Sequence, residues 1–263
     1  YKTTKANTAD QPHVRVFCSD IAEGVSPADF IAPPPQKMSL RIALSDTFTA
    51  KDFRQFFEQS VPCLPNLFVQ FKSFTQPQCD FSFATCFERL TVQSLCNCAL
   101  TIPTTLQYMA FVDCTNITLS GIEGLQSLGP VDESFVLNGV CANLRWLDWS
   151  ASKTLQQHAL HSFEALSSLT RLCLKAPALD SSLVLPATVK YLDLSVQKGP
   201  CAVEPLNCLS QLESLKLTVP CRSAGLDLSL LTTLTSLDVE NAALTAVPPS
   251  LVQFSATMET DCD

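Results

Sequence analysis

Chemistry in this chain would have to come from thirteen cysteines, three histidines and a modest set of charges. His158, His161 and Glu164 stand at i, i+3 and i+6, which places them on one side of a helix, a spacing that metal ligation can use. No fourth ligand is near in sequence, so an exposed polar face is the simpler account, and no metal site is expected. Cys173 has Arg171 and Lys175 two residues away on either side, the kind of positive neighbour that activates a thiolate. It has no nearby histidine to act as a base, so a plain surface thiol is the expected state. No GxSxG elbow, phosphate loop, HExxH pair or paired carboxylates occur, and seven glycines are few for phosphate-cradling turns. The chain therefore reads as non-enzymatic and without a cofactor.

Composition narrows the class of partner. The 263 residues are 46% hydrophobic and 16% charged, a folded globular balance with enough length for a sizeable core. A net charge of −8 disfavours nucleic acid and anionic membrane surfaces. No apolar run is long enough for a transmembrane helix, so no direct membrane insertion is expected. The opening "YKTTKANTAD" is polar and has no signal-peptide apolar run, as in a mature or trimmed chain. So many cysteines point to an oxidising compartment and disulfides, against the alternative of reduced cysteines filling small core sites.

The elements that would position these residues follow from a repeat. The pattern L-x-x-L-x-L has its second apolar position at Leu67, Leu90, Met109, Leu147, Leu172, Leu192, Leu215 and Leu237. The steps are 23, 19, 38, 25, 20, 23 and 22 residues. Such a period means stacked units, none able to bury its apolar side alone. The alternation inside each unit makes a short strand, so stacking builds a parallel sheet with inward ladders of leucine. The 38-residue step either hides a degenerate unit, "LQSLGP" at 125–130, or loops outward at Pro130. "MSLRIALSD" around Leu40 and Ile42 reads as one more strand, and "HVRVFCSD" at 13–20 as a pairing strand in an N-terminal cap. Helical spacing and a capping box predict helices in "TAKDFRQFFEQS" at 49–60 and "TLQQHALHSFEALSS" at 154–168. Steps of 19–23 leave room only for extended or one-turn return segments.

At this point the chain resembles the leucine-rich repeat family. "LQYMAFVDCTNI" at 106–117 is close to the family pattern, with Cys114 where Asn or Cys usually sits, and "LTSLDVENAALTAVPPSL" at 234–251 is similar. The usual ladder Asn is replaced by Ser152, Pro177, Gln197 and Pro220 in other units and by Ala242 in the last of these segments. The resemblance implies an α/β solenoid, a horseshoe with a parallel concave β-sheet and a mixed short-helix and extended convex side. It also implies a division into an N-terminal cap with the first irregular repeats at 1–60, repeats at 61–251, and a C-terminal cap or tail at 252–263.

Register then sorts the side chains. Cys63 and Cys86 occupy equivalent places in consecutive units, close enough for a disulfide, and Cys201 and Cys221 sit in loops of adjacent units as another candidate pair. Cys96 or Cys98 is a candidate partner for Cys114, Cys79 competes with Cys63 for Cys86, and Cys18 and Cys262 suit the caps. Asn116-Ile117-Thr118 is a glycosylation sequon. Outward positions include Tyr108, Trp146, Asp148, Arg171, Lys175, Tyr191, Asp193, Lys216, Asp238 and Glu240, aromatic and arginine anchors in a charged surround. Strand propensity alone would also place tyrosine and tryptophan there. Three functions fit: an extracellular or cell-surface module binding a protein partner (receptor, ligand or neighbouring subunit); a structural segment of a larger extracellular assembly or coat; and a cytosolic cysteine-rich inhibitor of the same repeat type.

Overall fold

The computed structural model describes residues 13–17, 39–44, 66–71, 76–85, 87–151, 166–179, 181, 183–198 and 201–257. For 13–17, 39–44, 66–67 and 221–224 it describes the backbone alone. The helix expected at 49–60 and residues 154–165 of the one expected at 154–168, with His158, His161 and Glu164, lie outside the described residues; 166–168 are described and form a turn, not a helix. Cys18, Cys63, Cys86 and Cys262 also lie outside the described residues.

The chain is a parallel β-solenoid, and it divides into two compact units, Tyr1–Gly129 with Ser134–Val140, and Pro130–Glu133 with Cys141–Asp263. In the first unit the main sheet runs β1 (His13–Phe17), β2 (Ser39–Leu44), β3 (Asn66–Phe71), β5 (Arg89–Gln93), β7 (Tyr108–Val112) and the start of β9 (Ser127–Asp132). All pairs are parallel, and one row of Cα partners is Val14, Leu40, Leu67, Leu90, Met109 and Leu128. The predicted strands around Leu40 and at the N-terminal cap are therefore present. β9 shows that the 38-residue step holds a complete coil: Leu128 is buried in the row and Pro130 is exposed within the strand.

The return side of this unit differs from the mixed helix and extended side expected. It is a second parallel sheet, ordered β10 (Val136–Asn138), β8 (Thr115–Ser120), β6 (Cys96–Thr101) and β4 (Gln78–Asp80). The physical reason is the short step together with its corners. Ser94 and Asp113, then Asn97 and Asn116, take positive φ values of 60°, 54°, 54° and 53°. Two left-handed residues three apart turn the chain from one sheet to the other, and Asn and Asp adopt that region more easily than other side chains. A strand rises about 3.3 Å per residue and a helix 1.5 Å, so a 19-residue coil closes with strands and would be too short around a helix. Leu100, Ile117 and Leu119 of this sheet and Met109 and Phe111 of the main sheet are all buried, and Phe135 meets Phe111 edge-on at 4.8 Å between ring centres.

In the second unit the sheet runs β11 (Trp146–Ser150), β12 (Arg171–Ala176), β13 (Tyr191–Val196), β14 (Ser214–Asp227), β15 (Ser236–Ala246) and β16 (Gln253–Thr257). Leu147, Leu172, Leu192, Leu215, Leu237 and Phe254 share a row, and the first five are at most 2% exposed. Burying each such leucine contributes about 1.5–3 kcal/mol. The first apolar residue of L-x-x-L-x-L closes a turn into its strand. The N–H of Leu144 donates to the Cys141 carbonyl at 3.1 Å, that of Leu169 to Leu166 at 3.0 Å, and that of Leu212 to Leu209 at 3.1 Å. One carbonyl per coil then accepts two N–H groups of the next: Arg145 takes Thr170 and Arg171, and Thr170 takes Lys190 and Tyr191. These shared acceptors fix the register. Among the described residues, helix is confined to a 3-10 turn at Ile122–Gly124 and one turn, α1, at Glu204–Asn207. No described helix is long and apolar enough to cross a membrane.

Candidate partner-binding face

Period two along each strand puts the residues between the ladder positions outside. In the second unit the first outward row is Trp146, Arg171, Tyr191, Ser214, Ser236 and Gln253. The next is Asp148, Cys173, Asp193, Lys216, Asp238 and Ser255, followed by Ser150, Lys175, Ser195, Thr218, Glu240 and Thr257. Nine of the ten residues expected on this face lie on the strands of the second unit. The tenth, Tyr108, lies on β7 of the first unit, where the Arg89 guanidinium sits 4.2 Å from its ring centre. Arg89 was countable as outward from the same register.

The charges are partly committed within the sheet. Arg171 lies over the Tyr191 ring at 5.2 Å, a cation–π contact across adjacent strands. Lys216 pairs with Glu240 at 3.5 Å, and the Thr218 hydroxyl donates to the same carboxylate at 2.9 Å. At the strand entry Lys190 pairs with Glu213 at 2.8 Å, and that bond raises the lysine pKa. Exposed pairs of this kind are worth little to stability, but they settle which charges remain for a partner.

The Cys173 thiol is held in its protonated form. Burial, then Asp148 and Asp193 on the flanking strands, push its thiol up to about 11, and Lys175 opposes them only weakly. The neighbours that sequence alone could see, Arg171 and Lys175, lie along the strand; the carboxylates that add to the effect of burial lie across it. Among the described residues, no three His, Cys, Asp or Glu side chains are placed to hold a metal ion.

The described disulfide candidates are free thiols: Cys96 is exposed, Cys201 half-buried, and Cys98 and Cys114 buried; Cys79 is also free. In the register of β6 and β8, Cys96 lies opposite Thr115, the residue next to Cys114, and Cys98 opposite Ile117. The Cys114 sulfur accepts the Leu95 N–H at 3.3 Å, and its thiol lies 3.3 Å from the Val112 carbonyl and 3.5 Å from that of Val92. It closes the corner between the two sheets. Cys221 lies within β14. Asn116 is exposed, and its Nδ2 donates to Asn97 Oδ1 at 2.9 Å, leaving one amide hydrogen position open.

Buried thiols give the fold an alkaline limit. Burial raises Cys98 and Cys201 to about 11 from the usual 9.0. Unfolded thiols thus ionise first, so this stability is complete below about pH 9 and is lost as pH climbs toward 11. The thermal midpoint should be level up to about pH 8.5 and fall above it, and a Cys98→Ala, Cys201→Ala variant should show a shallower fall. An identical slope in the variant would refute this assignment.

Compared with known proteins, the chain matches no family model and no curated protein. Its class accordingly rests on the fold: a repeat protein built as a parallel β-solenoid, with a charged and aromatic outward sheet face.

Proposed function

We propose that this chain is a non-enzymatic, leucine-rich-repeat-like binding module, working outside the cell or at its surface, that takes a protein partner on the outward face of β11–β16. One observation carries the reading: Trp146, Arg171 and Tyr191 stand side by side on three adjacent strands, with Tyr191 41% exposed. Aromatic and arginine residues clustered on a rigid sheet are what interface hot spots consist of. The cysteine content supports an extracellular setting, and Asn116 has an amide hydrogen free for a glycan.

Joint replacement Trp146→Ala with Tyr191→Ala should weaken a specifically captured partner by on the order of 30-fold or more, measured by surface plasmon resonance. Undiminished capture would sink the reading. It would turn attention to a structural role through the end of the stack, which one observation favours. Phe254, in register with buried Leu237, is 55% exposed, and β16 pairs only with β15 among the described strands. The free thiols of the described cysteines favour the cytosolic inhibitor as a third reading.

A further inference from the structure

Independently of the role of β11–β16, we infer that the outward sheet face of the first unit is a second interaction surface, one that takes an acidic segment of a partner protein. Leu90, Val92, Met109 and Phe111 are buried, so the positions between them belong to outward rows. One row includes Arg89 and Tyr108, and the next runs Arg15, Arg41, Phe68, Thr91 and Ala110 in register. The five strands concerned, β1, β2, β3, β5 and β7, hold three arginines and no lysine, aspartate or glutamate. In a chain of net charge −8 this is a local reversal of sign. The outward rows of the second unit, with Asp148, Asp193, Asp238 and Glu240, do not share it.

Arg15 and Arg41 are direct register partners on strands about 4.8 Å apart. Like charges set opposite each other destabilise a sheet, and an anion bound at the pair offsets that cost. Arg89 is exposed, and among the described residues its contact is the Tyr108 ring at 4.2 Å, with no carboxylate paired to it. A guanidinium lying on a ring keeps the edge of its donor fork open, and that edge matches a carboxylate bidentately. The surroundings favour a protein over other polyanions. Phe68 and Tyr108 are half-buried on this face and Val112 is 40% exposed, so apolar contact is available beside the charge. Arginine among aromatic and apolar residues, without lysine, is the composition of a protein interface. The net charge of the chain opposes a long, uniformly charged polyanion such as nucleic acid or a sulfated glycan. A segment that interleaves carboxylates with apolar side chains suits both features.

The probe is a random glutamate–tyrosine copolymer, with its binding to the immobilised full chain read by biolayer interferometry. The copolymer should bind, and Arg41→Gln with Arg89→Gln should weaken it roughly tenfold or more. Trp146→Ala with Tyr191→Ala, on the other unit, should leave it within about twofold of the parent. Circular dichroism of the arginine variant should match the parent. If that variant fails to fold, Arg89→Gln alone, at an exposed side chain, should still weaken binding roughly threefold or more. No binding, or binding that survives loss of the arginines, overturns the surface. Binding that needs Trp146 and Tyr191 instead also overturns it, while leaving the β11–β16 face standing. Heparin or oligothymidylate binding more tightly than the copolymer through the same arginines overturns the assignment to a protein segment.

Discussion

Leu192→Ala is expected to cost about 2–5 kcal/mol of folding stability, whereas Phe254→Ala should cost less than about 1 kcal/mol. Both residues occupy the same row of the second unit, and phenylalanine is the larger side chain. Leu192 is 2% exposed, with Leu172 on one side and Leu215 on the other, so its removal opens a cavity that the neighbouring rungs cannot fill. Among the described strands Phe254 has one rung beside it, and it is 55% exposed, so little contact is lost. Urea unfolding of the two variants gives the comparison directly. Equal losses would mean that residue type, and not enclosure between coils, sets the energy of a rung. A further consequence follows from the stacked design: a central defect weakens the coupling of coils on both sides, while a terminal one touches a single interface.

Gly124→Ala should destabilise the first unit by about 3 kcal/mol, an overpacking cost with no soft neighbour to absorb it. A Cβ at Gly124 would overlap the Thr104 carbonyl oxygen and lie 2.9 Å from its carbon, and these are backbone atoms of the preceding coil. Gly121, at the other end of the same 3-10 turn, has φ +81° and would overlap the Ile102 carbonyl. The segment "GIEG" thus lets two coils approach at backbone distance where side chains would hold them apart. For a chain of this size such a loss lowers the thermal midpoint by roughly 6–12 °C. A midpoint within a degree of the parent would show that the coils can separate there without loss.

Much of this was legible in the residues. The spacing of Leu90, Met109, Leu147, Leu172, Leu192, Leu215 and Leu237 specified strands, their parallel stacking and their register, because period two and a fixed step leave one consistent arrangement. The same count placed Trp146, Asp148, Arg171, Tyr191 and Asp193 on one outward face. Other features needed the coils to be brought together. That the return side is a β-sheet depends on the left-handed corners at Asn97 and Asn116, and single asparagines in a sequence do not announce their φ. β16 was missed because "VQFSAT" follows the "VPPSL" ending and its rung is a phenylalanine.

The sequence by itself determined a solenoid of parallel strands and which residues look outward, since periodicity is a local property that a chain carries along its length. Tertiary structure alone decided the chemistry of those residues. Cys173 stands between Arg171 and Lys175 along the chain, but between Asp148 and Asp193 in space, and the strand spacing of about 4.8 Å brings the carboxylates as near as any neighbour on its own strand. Cys114 likewise shows its backbone partners only in space, where its sulfur accepts the N–H of Leu95, nineteen residues earlier in the chain.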